Sequence, residues 1–248
     1  MSLEGFIRHS FEPIDERPVV VTIGSFDGVH AGHRVLLDSL KSMAARLDAR
    51  SVVVTFDPHP RIAMGRDEGM GLLTTIDERA LLLHEAGVDN MVVARFDDKF
   101  RKQSYEHFVQ QCLVEGLGMR GMIVGYNHRL GRGSEGNFER LQPVAEHCGF
   151  VLECVPQQRV DEEKVSSTVV RSIIESGDMQ RVKTLLGGDY IICGKADDGV
   201  VVVEDTHKLL PPCGKYNVFM NNNAATIIID NRSIRLLEPI SGSVVIRF

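Results

Sequence analysis

Tryptophan is missing from the 248 residues, tyrosine occurs only 4 times, and aromatic residues amount to 6% of the chain. The 43% hydrophobic and 25% charged residues that remain are ordinary for a globular enzyme. A second lack is any cysteine pairing pattern. Cys112, Cys148, Cys154, Cys193 and Cys213 are scattered without a CxxC, which argues against a disulfide framework and a zinc site and fits free thiols in a reducing cytosol. No apolar run approaches the roughly 20 residues that span a bilayer. Met1–Ser10 has neither a basic start nor an apolar stretch, so no secretory leader is expected. An excess of basic residues is also absent. The formal charge of -6 argues against bulk attraction to nucleic acid or to an anionic membrane. A cytoplasmic protein acting on small molecules, with neither of those partners, is the expectation; its oligomeric state is not legible.

What is present centres on Val19–Leu40, VVVTIGSFDGVHAGHRVLLDSL. Val19 to Thr22 predicts a buried strand, and Leu36, Leu40, Met43 and Leu47 predict an amphipathic helix from about His33. A glycine-rich turn between them aims a helix N-terminus beyond the strand end. Free N–H groups there favour a phosphate, and Gly24, Gly28 and Gly32 allow close backbone approach. His30 and His33 can face the same oxygens. A lone HxGH would equally serve as a glycine turn with two solvated histidines.

Further along, Ser51–Phe56, Met91–Phe96, Gly121–Gly125 and Phe150–Val155 read as strands. Helices are expected after Thr75, which forms a capping box with Glu78, after Ser104, and after Asn137. The alternation predicts an α/β fold with a mostly parallel sheet covered on both faces, whose ligands bind beyond the strand carboxyl ends. Two loops there draw notice. Asp57-Pro58-His59-Pro60 forms a stiff wall after Phe56, and Phe56 and His59 suit stacking on a planar ring. Gly125–Gly133 carries Tyr126, Asn127, His128, Arg129 and Arg132, a set suited to an anion beside a ring. Finally, Ser166, Ser167 and Thr168 form a helix-capping cluster with Arg171 about one turn in. Alone, each of these three is also an ordinary surface feature: a rigid turn, a solvated basic loop, a capped helix.

Together, GSFDGVHAGH, VVTFDPHP (Val53–Pro60), IVGYNHRLGRG (Ile123–Gly133) and VSSTVVRSIIESGDMQRVKTLLGGDY (Val165–Tyr190) resemble, in order, the adenylyltransferase module of bacterial FAD synthetases. These are the bifunctional riboflavin kinase/FMN adenylyltransferases, and the resemblance covers roughly residues 17–195. It implies a Rossmann-like HxGH nucleotidyltransferase domain that transfers AMP from ATP to FMN, giving FAD and pyrophosphate. Mg²⁺ then accompanies ATP with mostly non-protein ligands. The resemblance assigns His30, His33 and Arg171 to catalysis. Gly24, Ser25, Phe26, Asp27, Gly28, Gly32, Ser166, Ser167 and Thr168 are assigned to the nucleotide. Phe56, Asp57, Pro58, His59, Pro60, Tyr126, Asn127 and Arg129 are assigned to flavin. Asp27 either touches the metal or fixes the turn, and the turn is the expected role. The loop departs from the family pattern at His128 and Leu130, where aromatics are usual.

From Gly187 the pattern turns to short strands, Ile191–Gly194, Val200–Glu204, Val218–Met220, Thr226–Ile229, Ile234–Leu237 and Val244–Phe248. The chain therefore divides, in this reading, into a transferase domain over 1–187 and a small all-β, barrel-like domain over 188–248. Its position matches the family's riboflavin kinase barrel, but neither a glycine-rich loop nor a PTAN motif occurs between Gly194 and Phe248. Kinase activity is expected to be absent. Two other readings stay open: a cytidylyltransferase acting on another phosphate, and a flavin- or nucleotide-binding regulatory protein with weakened turnover.

Overall fold

The structure, a computed structural model, describes residues 3–66, 69–156, 159–160 and 163–248. Six strands, β1 (Ile7–Arg8), β2 (Val19–Ile23), β3 (Arg50–Asp57), β4 (Asn90–Arg95), β5 (Met119–Gly125) and β6 (Val151–Val155), form one sheet in the order β1-β4-β3-β2-β5-β6. Every neighbouring pair is parallel. All five residues of β2 are buried, as a central strand covered on both faces requires. Because β2 has β3 on one side and β5 on the other, the chain order reverses there, and the loop leaving it lies at the topological switch point.

The connections are helical: α1 (Ala31–Arg46), α2 (Pro60–Ala63), α3 (Ile76–Glu85), α4 (Asp98–Arg101) and α5 (Tyr105–His107), which runs on as a π-helical stretch Phe108–Gly116, then α6 (Phe138–Cys148). Asn137 caps α6 by accepting from the Arg140 N–H at 3.0 Å. Starting at Ala31 rather than His33, α1 buries Leu37, Leu40, Met43 and Ala44, and Leu36 sits at the edge of the stripe. A Cβ on Gly121 would lie 2.6 Å from Met43 Sδ, so the missing side chain lets α1 settle on β5. The core joins Val19, Val21, Val52, Val54 and Met122 of the sheet to Phe108, Leu113 and Leu141.

A second group of elements comprises the short pair β7 (Arg159–Val160) and β8 (Glu163–Lys164), then α7 (Ser167–Ser176), α8 (Met179–Leu186) and six strands. The strands are β9 (Ile191–Asp197), β10 (Val200–Val202), β11 (Gly214–Met220), β12 (Asn223–Asp230), β13 (Ser233–Leu236) and β14 (Gly242–Arg247). They close into an antiparallel barrel in the order β10-β13-β12-β11-β14-β9, which leaves no free edge. Asn221 and Asn222 turn β11 into β12 with φ of 48° and 69°, the left-handed conformation that asparagine tolerates. Ile192, Val201, Ile227, Ile229, Ile234 and Ile246 fill the interior together with Val170 and Ile174 of α7 and Leu185 of α8. All five cysteines are free thiols.

By contacts the chain forms two compact units. One comprises Met1–Phe26, Gly32–Glu68 and Ala80–Gln158; the other comprises Asp27–Ala31, Gly69–Arg79 and Arg159–Phe248. Truncating Ile227, fully buried in the barrel, to alanine should cost about 2–5 kcal/mol in denaturant unfolding. An unchanged midpoint would contradict a packed barrel interior.

Candidate active site

The turn leaving β2 is conformationally unusual. Phe26 and Val29 have φ of 46° and 42°, and Gly28 has 85°. A left-handed β-branched residue costs on the order of 1–3 kcal/mol and persists only where its surroundings impose it. The imposing group for the second half of the turn is Asp27, only 1% exposed. Its Oδ1 accepts from the Thr74 N–H at 2.9 Å and the Thr74 hydroxyl at 3.1 Å. Its Oδ2 accepts from the Leu73 N–H at 3.2 Å and from Arg171 Nη2 at 2.5 Å. Arg79 Nη2 stands 4.0 Å from Oδ1. The Asp27 carbonyl accepts from Ser167 Oγ at 2.9 Å, and the Gly28 N–H donates to Thr74 Oγ1 at 3.1 Å. A Cβ on Gly28 would meet Leu73 Cδ1 at 2.7 Å, so glycine is required there both for φ and for space.

In this geometry Asp27 fixes the turn. Both of its oxygens accept from protein donors. Arg171, 8% exposed, also donates from Nε to the Gly71 carbonyl at 2.7 Å. Ser166 is the N-cap of α7, its hydroxyl accepting from the Val169 N–H at 3.4 Å. The Ser167 hydroxyl donates within the protein while Ser166 only accepts, and Thr168 is exposed on the first turn. An α-helix gives its first N–H groups no internal acceptor, so the amides at the start of α7 remain the anion-seeking groups there.

His30 closes the turn and is 8% exposed. Burial drives its pKa from the ordinary 6.5 down to about 4, against a smaller opposing pull from Asp27, so the ring is neutral at pH 7. A neutral imidazole donates one hydrogen bond without bringing a charge.

Within the other unit, Gly24 receives no help from φ but lies against the Phe26 ring, 3.2 Å from where a Cβ would sit. The Gly24 N–H donates to the Val54 carbonyl at 3.0 Å, and the Ser25 carbonyl accepts from Thr55 Oγ1 at 3.1 Å, tying the ends of β2 and β3 together. Gly32 opens α1 after Ala31, and the His33 ring lies tilted on Phe26 with centroids 4.8 Å apart. Asp57 and Pro58, joined by a cis peptide bond, are exposed, and Pro60 starts α2. Phe56 differs from an open stacking platform: it is buried among Phe96 and Phe100 at 5.5 and 5.6 Å. His59 is also buried, its Nδ1 accepting from the Arg61 N–H at 3.2 Å as the cap of α2.

In the loop after β5, Tyr126 is 67% exposed, and Asn127 and Arg129 are exposed beside it. Leu130 is buried in the core and pairs with Gly136 through both backbone bonds, at 3.0 and 2.8 Å. A leucine there packs the core whatever happens at a ligand face.

The FAD synthetase family pattern matches residues 12–169. The chain belongs to the FAD synthetase family. Among relatives, the bifunctional riboflavin kinase/FMN adenylyltransferase of Haemophilus influenzae is 32% identical over 179 residues, 72% of this chain and 58% of that protein. The Escherichia coli protein of the same name is 31% identical over 191 residues, 77% and 61%. This FAD synthetase family member thus spans about three-fifths of those relatives. A Listeria monocytogenes protein named FAD synthetase is 28% identical over 223 residues, 90% of this chain and 88% of that one. A crystal structure titled macrolide-efflux protein, from Streptococcus pneumoniae, has a TM-score of 0.80 over 94% of this chain and 84% of that chain; at 20% identity it speaks to the fold alone.

Sequence reasoning missed Leu73, Thr74 and Arg79. The only local hint was the Thr74-Thr75 doublet ahead of the capping box, which holds as expected with Thr75 N–H on Glu78 Oε2 at 2.9 Å and Glu78 N–H on Thr75 Oγ1 at 3.2 Å. The depressed pKa of His30 has a stability consequence. Between pH 6.5 and about 4 the unfolded chain takes up a proton that the folded one refuses. Stability should fall by up to about 3 kcal/mol as pH drops through that window. Urea unfolding of wild type and His30→Gln checks this: the substitution should flatten the slope, and identical slopes would contradict a buried neutral His30.

Proposed function

We propose that this chain transfers the adenylyl group of ATP to FMN, forming FAD and releasing pyrophosphate, with ATP and FMN as small-molecule substrates in the cytoplasm. The observation that carries the reading is the strained Phe26–His30 turn at the end of the central strand, in a chain of the FAD synthetase family, with its Asp27–Ala31 part locked to Thr74 and Arg171. A phosphate oxygen of FMN attacks the α-phosphorus of ATP. The new P–O bond forms as the bond to the bridging α–β oxygen breaks, and the electron pair leaves with pyrophosphate. An FMN phosphate is already anionic at neutral pH, so no strong base is needed. Alignment and stabilisation of the oxyanions supply the rate.

In this reading neutral His30 donates a hydrogen bond to the reacting phosphate, with His33 as a second donor. Backbone N–H groups of the first turn of α7 receive the phosphate oxygens. Arg171 acts first by holding Asp27 and the Gly71 carbonyl, and its positive charge favours the pyrophosphate side. Mg²⁺ would arrive on the nucleotide, with mostly non-protein ligands. Tyr126, Asn127 and Arg129 would meet the flavin, along the edge that Asp57 to Pro60 also forms. Residues 1–187 would carry the transfer chemistry and residues 188–248 the reduced barrel.

We also infer that riboflavin kinase activity is absent. The missing glycine-rich loop and PTAN sequence support this, as does the near full-length correspondence with a relative named only FAD synthetase. Incubation of the protein with ATP, Mg²⁺ and FMN should yield FAD and pyrophosphate by chromatography, whereas riboflavin with ATP should yield no FMN. Absence of FAD would refute the transferase, and FMN from riboflavin would refute the loss of kinase. His30→Ala should lower turnover by about 10²-fold, and unchanged turnover would remove His30 from the mechanism.

A further inference from the structure

Lys208 lies in the connection between β10 and β11, in a chain stretch with no functional motif, yet its ammonium is completely buried. All three of its N–H donors are used. It donates to the Leu73 carbonyl at 2.6 Å, to Glu78 Oε2 at 2.7 Å and to the Ile191 carbonyl at 2.7 Å, and it stands 4.2 Å from the centre of the Tyr190 ring. Glu78 is equally buried, and its other oxygen accepts from the Cys193 N–H of β9 at 2.7 Å. Around Lys208 the backbone bonds continue. The Leu72 N–H donates to the His207 carbonyl at 2.7 Å, and the Leu209 N–H donates to the Leu72 carbonyl at 2.8 Å. Arg232, in the turn between β12 and β13, fastens this connection to the barrel by donating to the carbonyls of Lys208 at 3.1 Å and Asp205 at 3.0 Å.

Residues Gly71–Thr74 are therefore a strap held from two sides. One side is the barrel connection, through Lys208 and the bonds to Leu72. The other is Asp27, which takes the N–H groups of Leu73 and Thr74, and Arg171, which takes the Gly71 carbonyl. Leu73 links the two directly: its N–H goes to Asp27 and its carbonyl to Lys208. We propose that Lys208 is a positioning residue for the nucleotide-binding turn. It fixes the strap that fixes Asp27, and so gives the reduced barrel a role in adenylyl transfer. The inference rests on the FMN adenylyltransferase reading for its kinetic consequence, though not for its structural one.

A buried ion pair also contributes to folding, and Lys208→Met alone would strand the Glu78 charge. The decisive variant is therefore the double substitution Lys208→Met with Glu78→Gln, which removes both charges together. Arg232→Ala accompanies it, an exposed-side change that loosens the connection without burying a charge. Three quantities are measured on protein shown to be folded: kcat, KM for FMN, and hydrogen exchange of individual amides. In the double variant the Leu73 and Thr74 amides should exchange at least tenfold faster while those of Ile227 and Ile229 keep their rates. FAD formation should lose at least tenfold in kcat with KM for FMN within twofold. Arg232→Ala should shift the same quantities in the same direction by about threefold. Strap amides or kcat within twofold of wild type in both variants would overturn the proposal, as would a fall in kcat with strap exchange unchanged. Should the wild-type chain form no FAD from MgATP and FMN, the adenylyl-transfer reading fails, and the exchange rates alone decide whether Lys208 holds the strap.

Discussion

A carboxylate buried away from solvent must be satisfied by the protein, and Asp27 meets that demand with two backbone N–H groups, a hydroxyl and a guanidinium. Each of those donors comes from a segment distant in sequence, so satisfying one charge fixes Gly71–Thr74, the start of α7 and the turn after β2 in one arrangement. The left-handed φ of Val29 is tolerable because Asp27 and Gly28 on its N-terminal side are held by Thr74 and Ser167. In sequence the hub follows the central strand directly, and open α/β sheets bind ligands beyond their strand ends.

The same geometry alters how Arg171 is understood. A guanidinium one turn into a helix invites assignment as a direct phosphate ligand, yet here Nε and Nη2 are directed to the Gly71 carbonyl and to Asp27. Paired with Asp27, it acts first on the shape of the site. The family match ends at Val169, so this residue and the barrel that follows lie beyond the matched stretch. In the proposed reaction the developing charge meets hydrogen-bond donors that are already oriented, among them a neutral histidine, so little reorganisation is left to the chemical step.

Much of this was legible from local pattern. Val19–Thr22 reads as a buried strand because its residues are apolar or β-branched, Thr75 and Glu78 declare a helix start three residues apart, and all six barrel strands announce themselves by alternation between turn residues. What escaped was set by tertiary contact. The two-residue β1 is too short to show periodicity and is a strand only because Ile7 and Arg8 pair with Met91 and Val92. Phe56 belongs by composition to a stacking wall but is claimed by an aromatic core with Phe96 and Phe100. The Leu130 position is likewise decided by packing. Lys208, beside prolines in an irregular connection, reads as a solvated lysine, since nothing nearby in sequence announces acceptors that come from Leu73, Glu78 and Ile191.

One buried carboxylate, Asp27, shapes the turn after β2 that we propose binds the nucleotide. Calorimetric titration of MgATP into the wild-type chain and into Asp27→Asn, at a temperature where both are folded, tests it most directly. Wild type should bind with micromolar-class affinity, weakened at least tenfold, about 1.4 kcal/mol, in the variant. Equal affinity in the two proteins would contradict it.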